Sequence, residues 1–215
     1  MTDSDTSILL IDDHPLLRKG LCQLINEEEG LKVVGEAGDG QKGVELAQQL
    51  EPDLILLDLN MKGMDGLTTL KTMRSHNIIS RIVVLTVSEH KEDVAALFKA
   101  GADGYLLKDM EPEDLLNKVS EAAAGRLVVD DRLAKVLASV LRPEQEETSK
   151  LDSLTPKELE VLHLIAEGLA NKVIGRNMGI SEGTVKVHVK RLLKKLGVRS
   201  RVEAAVWVIN KYKGT

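Results

Sequence analysis

The sequence predicts two domains of different class. The first is an α/β domain, doubly wound around a five-stranded parallel sheet; the second is a small all-α helix-turn-helix domain. Three observations predict this. Five short, β-branched-rich apolar runs alternate with helical patterns through the first 125 residues. The alternation then stops, and only helical periodicity follows. The charge also changes sign: residues 151–215 carry 12 Lys/Arg against 6 Asp/Glu, while residues 1–150 carry 17 against 28. An acidic half joined to a basic half implies two modules, the second facing something anionic.

The strand-like runs are Ile8–Ile11, Lys32–Gly35, Leu54–Leu57, Ile82–Val87 and Tyr105–Leu107, with helical patterns at 15–28, 40–50, 66–75, 91–100 and 111–124. Continuous rather than alternating apolar strands fit a sheet covered on both faces. "LVVDDRLAKVLASVL" reads as a connecting helix capped near Asp130, and "RPEQEETSK", which has no apolar residue, as a linker. The expected domains are therefore 6–125 and 151–215, with a connection over 126–150.

The second domain reads as four helices. Thr155, Pro156 and Glu158 form a capping box with proline in the first turn, and Gly168 stops that helix. A short helix over 171–178 ends at Gly179. Ser181 caps the next, which runs to Leu196 and stops at Gly197. Ser200 and Glu203 open a last helix, whose Val202, Val206 and Ile209 face either the domain core or a second copy of the chain.

Composition narrows the class further. Hydrophobic content of 43% with 29% charged residues indicates a globular protein. The single cysteine, Cys22, excludes an internal disulfide and reads as a small apolar filler. No apolar run approaches 18 residues, and the N-terminal "MTDSDTS" is acidic, unlike a signal peptide. A cytoplasmic protein without a membrane partner is expected. His14, His163 and His188 have no metal-ligand partner at suitable spacing and read as structural.

The first strand ends in two adjacent carboxylates, Asp12 and Asp13, and the third in Asp58. In a doubly wound sheet these ends can be neighbours, and sites form beyond the carboxyl ends of strands. Three converging carboxylates repel unless a cation holds them. Oxygen-only ligation favours Mg²⁺, which takes one or two carboxylates plus waters and phosphate oxygens. Thr86, near the end of the fourth strand, and Lys108, ending the fifth, supply a hydroxyl and a fixed cation, as a phosphoryl group requires. Asp58 then reads as a carboxylate nucleophile accepting a phosphoryl group. Singly, each Asp at a strand end reads as the cap of the next helix; the five residues point to phosphoryl chemistry as a set.

The passages "IDDHPLLRKGL", "DLILLDLNMKGMDGL", "VVLTVSE" and "GADGYLLKDMEPEDLL" resemble the flavodoxin-like receiver domain of bacterial two-component response regulators, over residues 6–125. The resemblance implies that Asp58 is the phosphorylation site. It implies that Asp12 and Asp13 hold Mg²⁺ together with Asp58 and the backbone carbonyl of Asn60. Thr86 and Lys108 would contact the phosphoryl group, and Tyr105 would be a rotamer switch that follows Thr86 inward. Tyr105 also reads as an ordinary edge-strand aromatic.

Residues 176–201 hold eight Lys/Arg and one acid, Glu182. On the helix from Ser181 to Leu196, Val185, Val189, Leu192, Leu193 and Leu196 form one apolar stripe. Gly183, Val187, Lys190 and Lys194 lie opposite, flanked by Lys186 and Arg191. A solvated charged face has little use for Val187. A base-reading face does, because valine can touch thymine methyls while lysines donate to guanine. A short helix, a turn at Gly179 and a longer basic helix make a helix-turn-helix, whose second helix enters the major groove. Lys186, Val187 and Lys190 are the expected base readers. Thr184, Lys172, Arg191, Lys194, Lys195, Arg199 and Arg201 are expected on phosphates of double-stranded DNA.

Residues 152–212 resemble the LuxR-type four-helix DNA-binding domain, and the two halves together resemble the NarL/FixJ subfamily of response regulators. "DLNMKGM", "TVKVHVK" and "SRVEAAVW" are similar to its nitrate- and nitrite-responsive members. The resemblance implies a transcription factor phosphorylated by a sensor histidine kinase, binding promoters as a homodimer, with RNA polymerase as a further partner. It would not be an enzyme beyond slow self-dephosphorylation. A regulator of a different signal is the alternative. A less favoured one is an aspartyl-phosphate phosphatase, which resembles enzymes carrying a second Asp two residues after the nucleophile; here Asn60 stands there. A ligand-sensing regulator is disfavoured by the strand-end carboxylates and few aromatics. The opposite charges of the halves predict that the acidic domain covers the basic helix in the resting state.

Overall fold

A computed structural model describes residues 5–87, 91–129, 151 and 153–213. The first part alternates strand and helix: β1 Thr6–Ile11, α1 Pro15–Glu27, β2 Leu31–Ala37, α2 Gly40–Leu50, β3 Leu54–Asp58, α3 Gly66–Ser75, β4 Arg81–Thr86, α4 Lys91–Ala100, β5 Gly104–Leu107, α5 Pro112–Ala124 and β6 Val128–Val129. The sheet order is β2-β1-β3-β4-β5-β6, and every pairing is parallel. The order places β1 and β3 side by side, so the carboxylates that end them are neighbours.

Among the described residues the sheet has six strands rather than the five expected. Val128 and Val129, read from sequence as the entry to a connecting helix, pair instead with Gly104 and Tyr105. Two β-branched residues are too short a run to register as a strand; the exposed edge of β5 supplies their partner. Tyr105 is thus not on an edge strand, and its side chain is fully buried. The expected connecting helix beyond Val129 and the 142–150 linker lie outside the described residues.

Apolar side chains cover both sheet faces. Leu9, Ile11, Ile55 and Leu57 pack with α2, α3 and α4, while Ile8, Leu10, Leu54 and Leu56 pack with α1 and α5. This explains the continuous apolar strands, whose alternate residues serve two cores. Asp39 and Asp65 cap α2 and α3 by accepting from the backbone N–H groups of Lys42 and Thr68.

The second part is four helices: α6 Pro156–Ala166, α7 Asn171–Met178, α8 Glu182–Leu196 and α9 Arg201–Lys213. The capping box of Thr155 and Glu158 forms in both directions, and Ser181 caps α8 by accepting from Thr184 N. The Ser200 cap forms only half a box. Its hydroxyl accepts from Glu203 N, whereas the Glu203 carboxylate accepts from Arg199 N at 2.8 Å. The α8 stripe of Val185, Val189, Leu192, Leu193 and Leu196 is buried against α6, α7 and α9. Each such side chain contributes about 1.5–3 kcal/mol of burial. On α9, Val208 enters this core, Val202 is also buried, Val206 is half-buried and Ile209 is exposed. Among the described residues no helix is long and apolar enough to cross a membrane.

Candidate functional site

The ends of β1, β3 and β5 bring Asp12, Asp13, Asp58 and Lys108 to one place. Asp58, the last residue of β3, is 1% exposed, and Asp12 is almost as deeply buried. Lys108 Nζ lies 2.6 Å from Asp12 Oδ2 and 2.9 Å from Asp58 Oδ2. A single ammonium therefore partly offsets two buried carboxylates. Its contact with Asp58 is an ion pair without hydrogen-bond alignment, since Asp58 Oδ2 has no hydrogen-bonding partner, and neither does Asp13 Oδ1. The other oxygens are fixed by backbone: Asn60 N donates to Asp58 Oδ1 at 3.1 Å, and Lys62 N donates to Asp13 Oδ2 at 3.1 Å.

This arrangement fits a hard divalent cation. Ligand atoms of Asp12, Asp13, His14 and Asp58 all lie within 4.8 Å of one another. Two buried carboxylate oxygens left without a hydrogen bond are costly unless a cation or a bound group takes them. Beside Asp13 opens a cleft of about 570 Å³ lined by Asp13, His14, Asn60 and Lys62. Thr86 is fully buried at the end of β4, and its carbonyl accepts from Lys108 N at 2.8 Å. Thr86 and Lys108 are thus coupled through the backbone.

His14 corrects one expectation. The sequence gives it no ligand partner by spacing, yet its Nδ1 sits 3.0 Å from Asp13 Oδ1 and 3.3 Å from Asp12 Oδ1. Its place beside the carboxylate pair in "DDHP" was the available signal.

The basic face of the second part meets the first part at the opposite end of the sheet. Lys186 Nζ lies 2.8 Å from Asp53 Oδ1 and donates to Glu51 O at 3.1 Å. Ser7 fixes Asp53 through its N–H (3.0 Å) and its hydroxyl (2.7 Å). Burial would raise the Asp53 carboxyl, but the bonds from Lys186, Glu182 and Ser7 outweigh it and hold the carboxyl below its usual range. Lys186, Val187 and Lys190 line a cavity of about 310 Å³ against Glu51, His76 and Asn77. Val187 is nonetheless 48% exposed, as expected of a residue outside the α8 stripe. Arg199 Nη1 donates to Lys99 O at 2.8 Å.

Two expected phosphate contacts, Arg201 and Lys195, need correction. Arg201 is buried, donating to Leu169 O and Asn171 Oδ1, so it is not available to DNA. Lys195 is bound to Glu158 Oε2 at 2.6 Å. It ties α8 to the start of α6 instead of standing free. Lys172 lines the seam between the two parts. Counting cations along a helix does not reveal which of them the fold takes for its own joints. Thr184 shares its hydroxyl with Ser181 at 2.8 Å and remains exposed, as do Lys190, Arg191 and Lys194.

A model of the response regulator receiver domain matches residues 8–120, and a model of bacterial regulatory proteins of the luxR family matches residues 152–208. The chain is a response regulator with a LuxR-type output domain. The regulator is 57% identical over 203 residues to the nitrate/nitrite response regulator protein NarL of Escherichia coli strain K12, covering 94% of each chain. It is 49% identical over 199 residues to NarP of the same strain, covering 93% of this chain and 92% of NarP. A solved structure of two RcsB dimers bound to two parallel DNAs matches 95% of the regulator and 98% of the RcsB chain, with a TM-score of 0.57 and 26% identity. The regulator thus joins a receiver domain to a DNA-binding domain and serves transcriptional regulation.

Proposed function

We propose that Asp58 accepts a phosphoryl group from a sensor histidine kinase, and that this charge frees α8 to bind promoter DNA. The observation that carries the reading is the buried, incompletely bonded Asp58 carboxylate beside Asp12, Asp13 and Lys108. Asp58 Oδ attacks the phosphorus while the donor's nitrogen leaves. Lys108 faces the negative oxygens of the transferred group. Asp12, Asp13, Asp58 and the Asn60 carbonyl would hold Mg²⁺, which supplies countercharge for the phosphoryl oxygens. Thr86 moves its hydroxyl toward the new phosphoryl oxygens, and Tyr105 follows into the space Thr86 leaves.

Lys186, Val187 and Lys190 read bases, and Thr184, Arg191, Lys194 and Arg199 hold phosphates. These roles conflict with the contacts that Lys186 and Arg199 make to the receiver, so the docked arrangement is the resting state. The regulator acts as a homodimer on DNA, in the manner of the RcsB dimers, and recruits or blocks RNA polymerase there. Its relatives' names support nitrate- and nitrite-responsive genes as its targets. Asn60 supplies no acid or base two residues after Asp58, which argues against turnover as a phosphatase. The regulator acts in the cytoplasm, where a kinase and promoter DNA are both within its reach.

The test is a gel shift on a promoter library, with and without acetyl phosphate and Mg²⁺, for the wild type and Asp58→Asn. Binding that requires the phosphodonor in the wild type and does not respond to it in the variant supports the proposal. Equal response in both proteins contradicts it.

A further inference from the structure

The seam between the domains contains a charge problem that the phosphoryl switch does not use. Arg81 opens β4 and Arg201 opens α9, and each is only 7% exposed. Among the described residues neither has an ion-pair partner. Asp103 is held by Arg74 at 2.6 Å, and Asp53 by Lys186 at 2.8 Å. Arg81 Nη1 donates to the carbonyls of Ala122 and Ala123, but Nε and Nη2 are buried with no hydrogen-bond partner. The two guanidiniums also repel one another. Burial, above all, pushes Arg81 well down, with Arg201 adding to the effect while Asp103 and Asp53 oppose it; burial brings Arg201 to about 10 against the opposing charge of Asp103. At neutral pH Arg201 remains charged. Buried, like-charged and unpaired cations are among the most expensive arrangements a fold can hold.

A second source of positive potential converges there. Helix α7 spans Asn171–Met178, and its N-cap is Ala170, which makes no side-chain cap. The unsatisfied N–H groups of its first turn are an anion-binding end. Arg81, Arg201, Ala170 and Asn171 line one cavity of about 30 Å³, room for one small ion or a water or two. Asp5, Asp53, Glu182 and Lys172 line it as well. Of these, Asp53 is ion-paired with Lys186 at 2.8 Å and accepts from Ser7. None of these acids hydrogen-bonds the buried Nε or Nη2 of Arg81.

We propose that this seam binds one small monovalent inorganic anion, held between the guanidiniums of Arg81 and Arg201 at the start of α7. Arg81 belongs to the receiver and Arg201 to the DNA-binding domain, so the site is whole only while the domains are docked. The anion therefore stabilises the docked form by mass action. Its regulatory consequence rests on the reading that the docked form is the resting state; the site itself does not.

Two measurements on the full chain test this. The first is a crystal structure from sodium bromide. The expected result is an anomalous bromide peak between Arg81 and Arg201. No peak there in a docked chain, or a water in its place, overturns the proposal. The second is DNA binding of the unphosphorylated regulator at constant ionic strength, with glutamate replaced by chloride or by nitrate. Raising chloride tenfold should weaken binding by up to about tenfold, the limit for one linked ion. Arg81→Gln should abolish that dependence. A stronger effect of nitrate than of chloride identifies a planar oxyanion as the occupant, and the reverse a halide; either supports the site. The same chloride dependence in wild type and Arg81→Gln contradicts it. Loss of phosphodonor dependence in the wild type, with the bromide peak present, would instead overturn the switch and leave the site standing.

Discussion

Lys186, on the helix expected to read DNA, is bonded to Asp53, the residue that immediately precedes the strand ending in Asp58. One strand thus joins the contact that covers α8 to the carboxylate proposed to take the phosphoryl group. Five residues of parallel strand span about 16 Å. That distance is too long for direct electrostatics across a screened surface to dominate, since the Debye length is about 8 Å at physiological salt. Coupling must run through the packed sheet or through movement of Thr86 and its neighbours.

Removing the receiver side of this contact should free the basic helix. Asp53→Ala is expected to raise phosphodonor-independent DNA binding by up to about fivefold, since a partly exposed ion pair contributes up to about 1 kcal/mol. Lys186→Ala should instead weaken DNA binding in both states, because Lys186 serves both partners. Fluorescence anisotropy on a selected promoter fragment measures both. Equal effects of the two substitutions would argue that Asp53 only stabilises the receiver.

The docked contact should tighten on mild acidification. Burial, and then Asp53 beside it, pushes the Glu182 carboxyl up to about 6 from an ordinary 4.5, while Lys186 and Lys172 oppose the shift. A raised acid binds its proton more tightly when docked, so docking is penalised above pH 6, and the penalty fades as pH falls toward 4.5. Asp53, held low, keeps its charge throughout that window. The docked fraction, read by energy transfer between labelled domains, should therefore rise from pH 7.5 to pH 5.5. Glu182→Gln should be docked equally at both values; a variant that keeps the pH response assigns it to another group.

Gly66 is expected to tolerate no side chain. A Cβ there would lie 2.3 Å from Asp58 O and 2.6 Å from Leu59 Cα, backbone atoms that cannot rotate away. Gly66→Ala should cost about 1–3 kcal/mol of receiver stability, as overpacking does. It should also slow phosphoryl uptake from acetyl phosphate by displacing Asp58. Thermal unfolding and a phosphoprotein gel separate the two effects; unchanged uptake would mean that the loop yields instead.

Base contacts and phosphate contacts should separate by salt. Lys194→Ala should weaken binding to all sequences and lower the slope of log affinity against log salt by about one. Val187→Ser should leave that slope unchanged while reducing the preference for thymine at the position that residue 187 touches. A salt slope altered by Val187→Ser would place the helix differently in the groove.

Much of this was legible in the sequence, because the signals were local or strictly periodic. Asp12, Asp13, Asp58, Thr86 and Lys108 each end a strand, and parallel topology alone brings strand ends together. The α8 stripe followed from spacing, and the cap at Ser181 from its side chain. What escaped depended on partners distant in the chain. Val128 and Val129 became a strand only because β5 offered an edge. His14 lacked helical or ligand spacing, yet the turn after β1 folds it back on the carboxylates. Arg201 and Lys195 counted as surface cations until Asn171, Leu169 and Glu158 claimed them. The charge asymmetry predicted that the halves attract; it could not name Asp53 as the residue that Lys186 finds.

The central claim is that phosphorylation of Asp58 undocks α8 from the receiver. The most direct measurement is a spin-label distance between Gln48→Cys and Lys190→Cys in a Cys22→Ser background, since Gln48 and Lys190 line the same interdomain cavity. Addition of acetyl phosphate with Mg²⁺ should replace the short distance by a broad, longer distribution, and the additional change Asp58→Asn should preserve the short one. An unchanged short distance under conditions where the phosphodonor stimulates DNA binding would contradict the account.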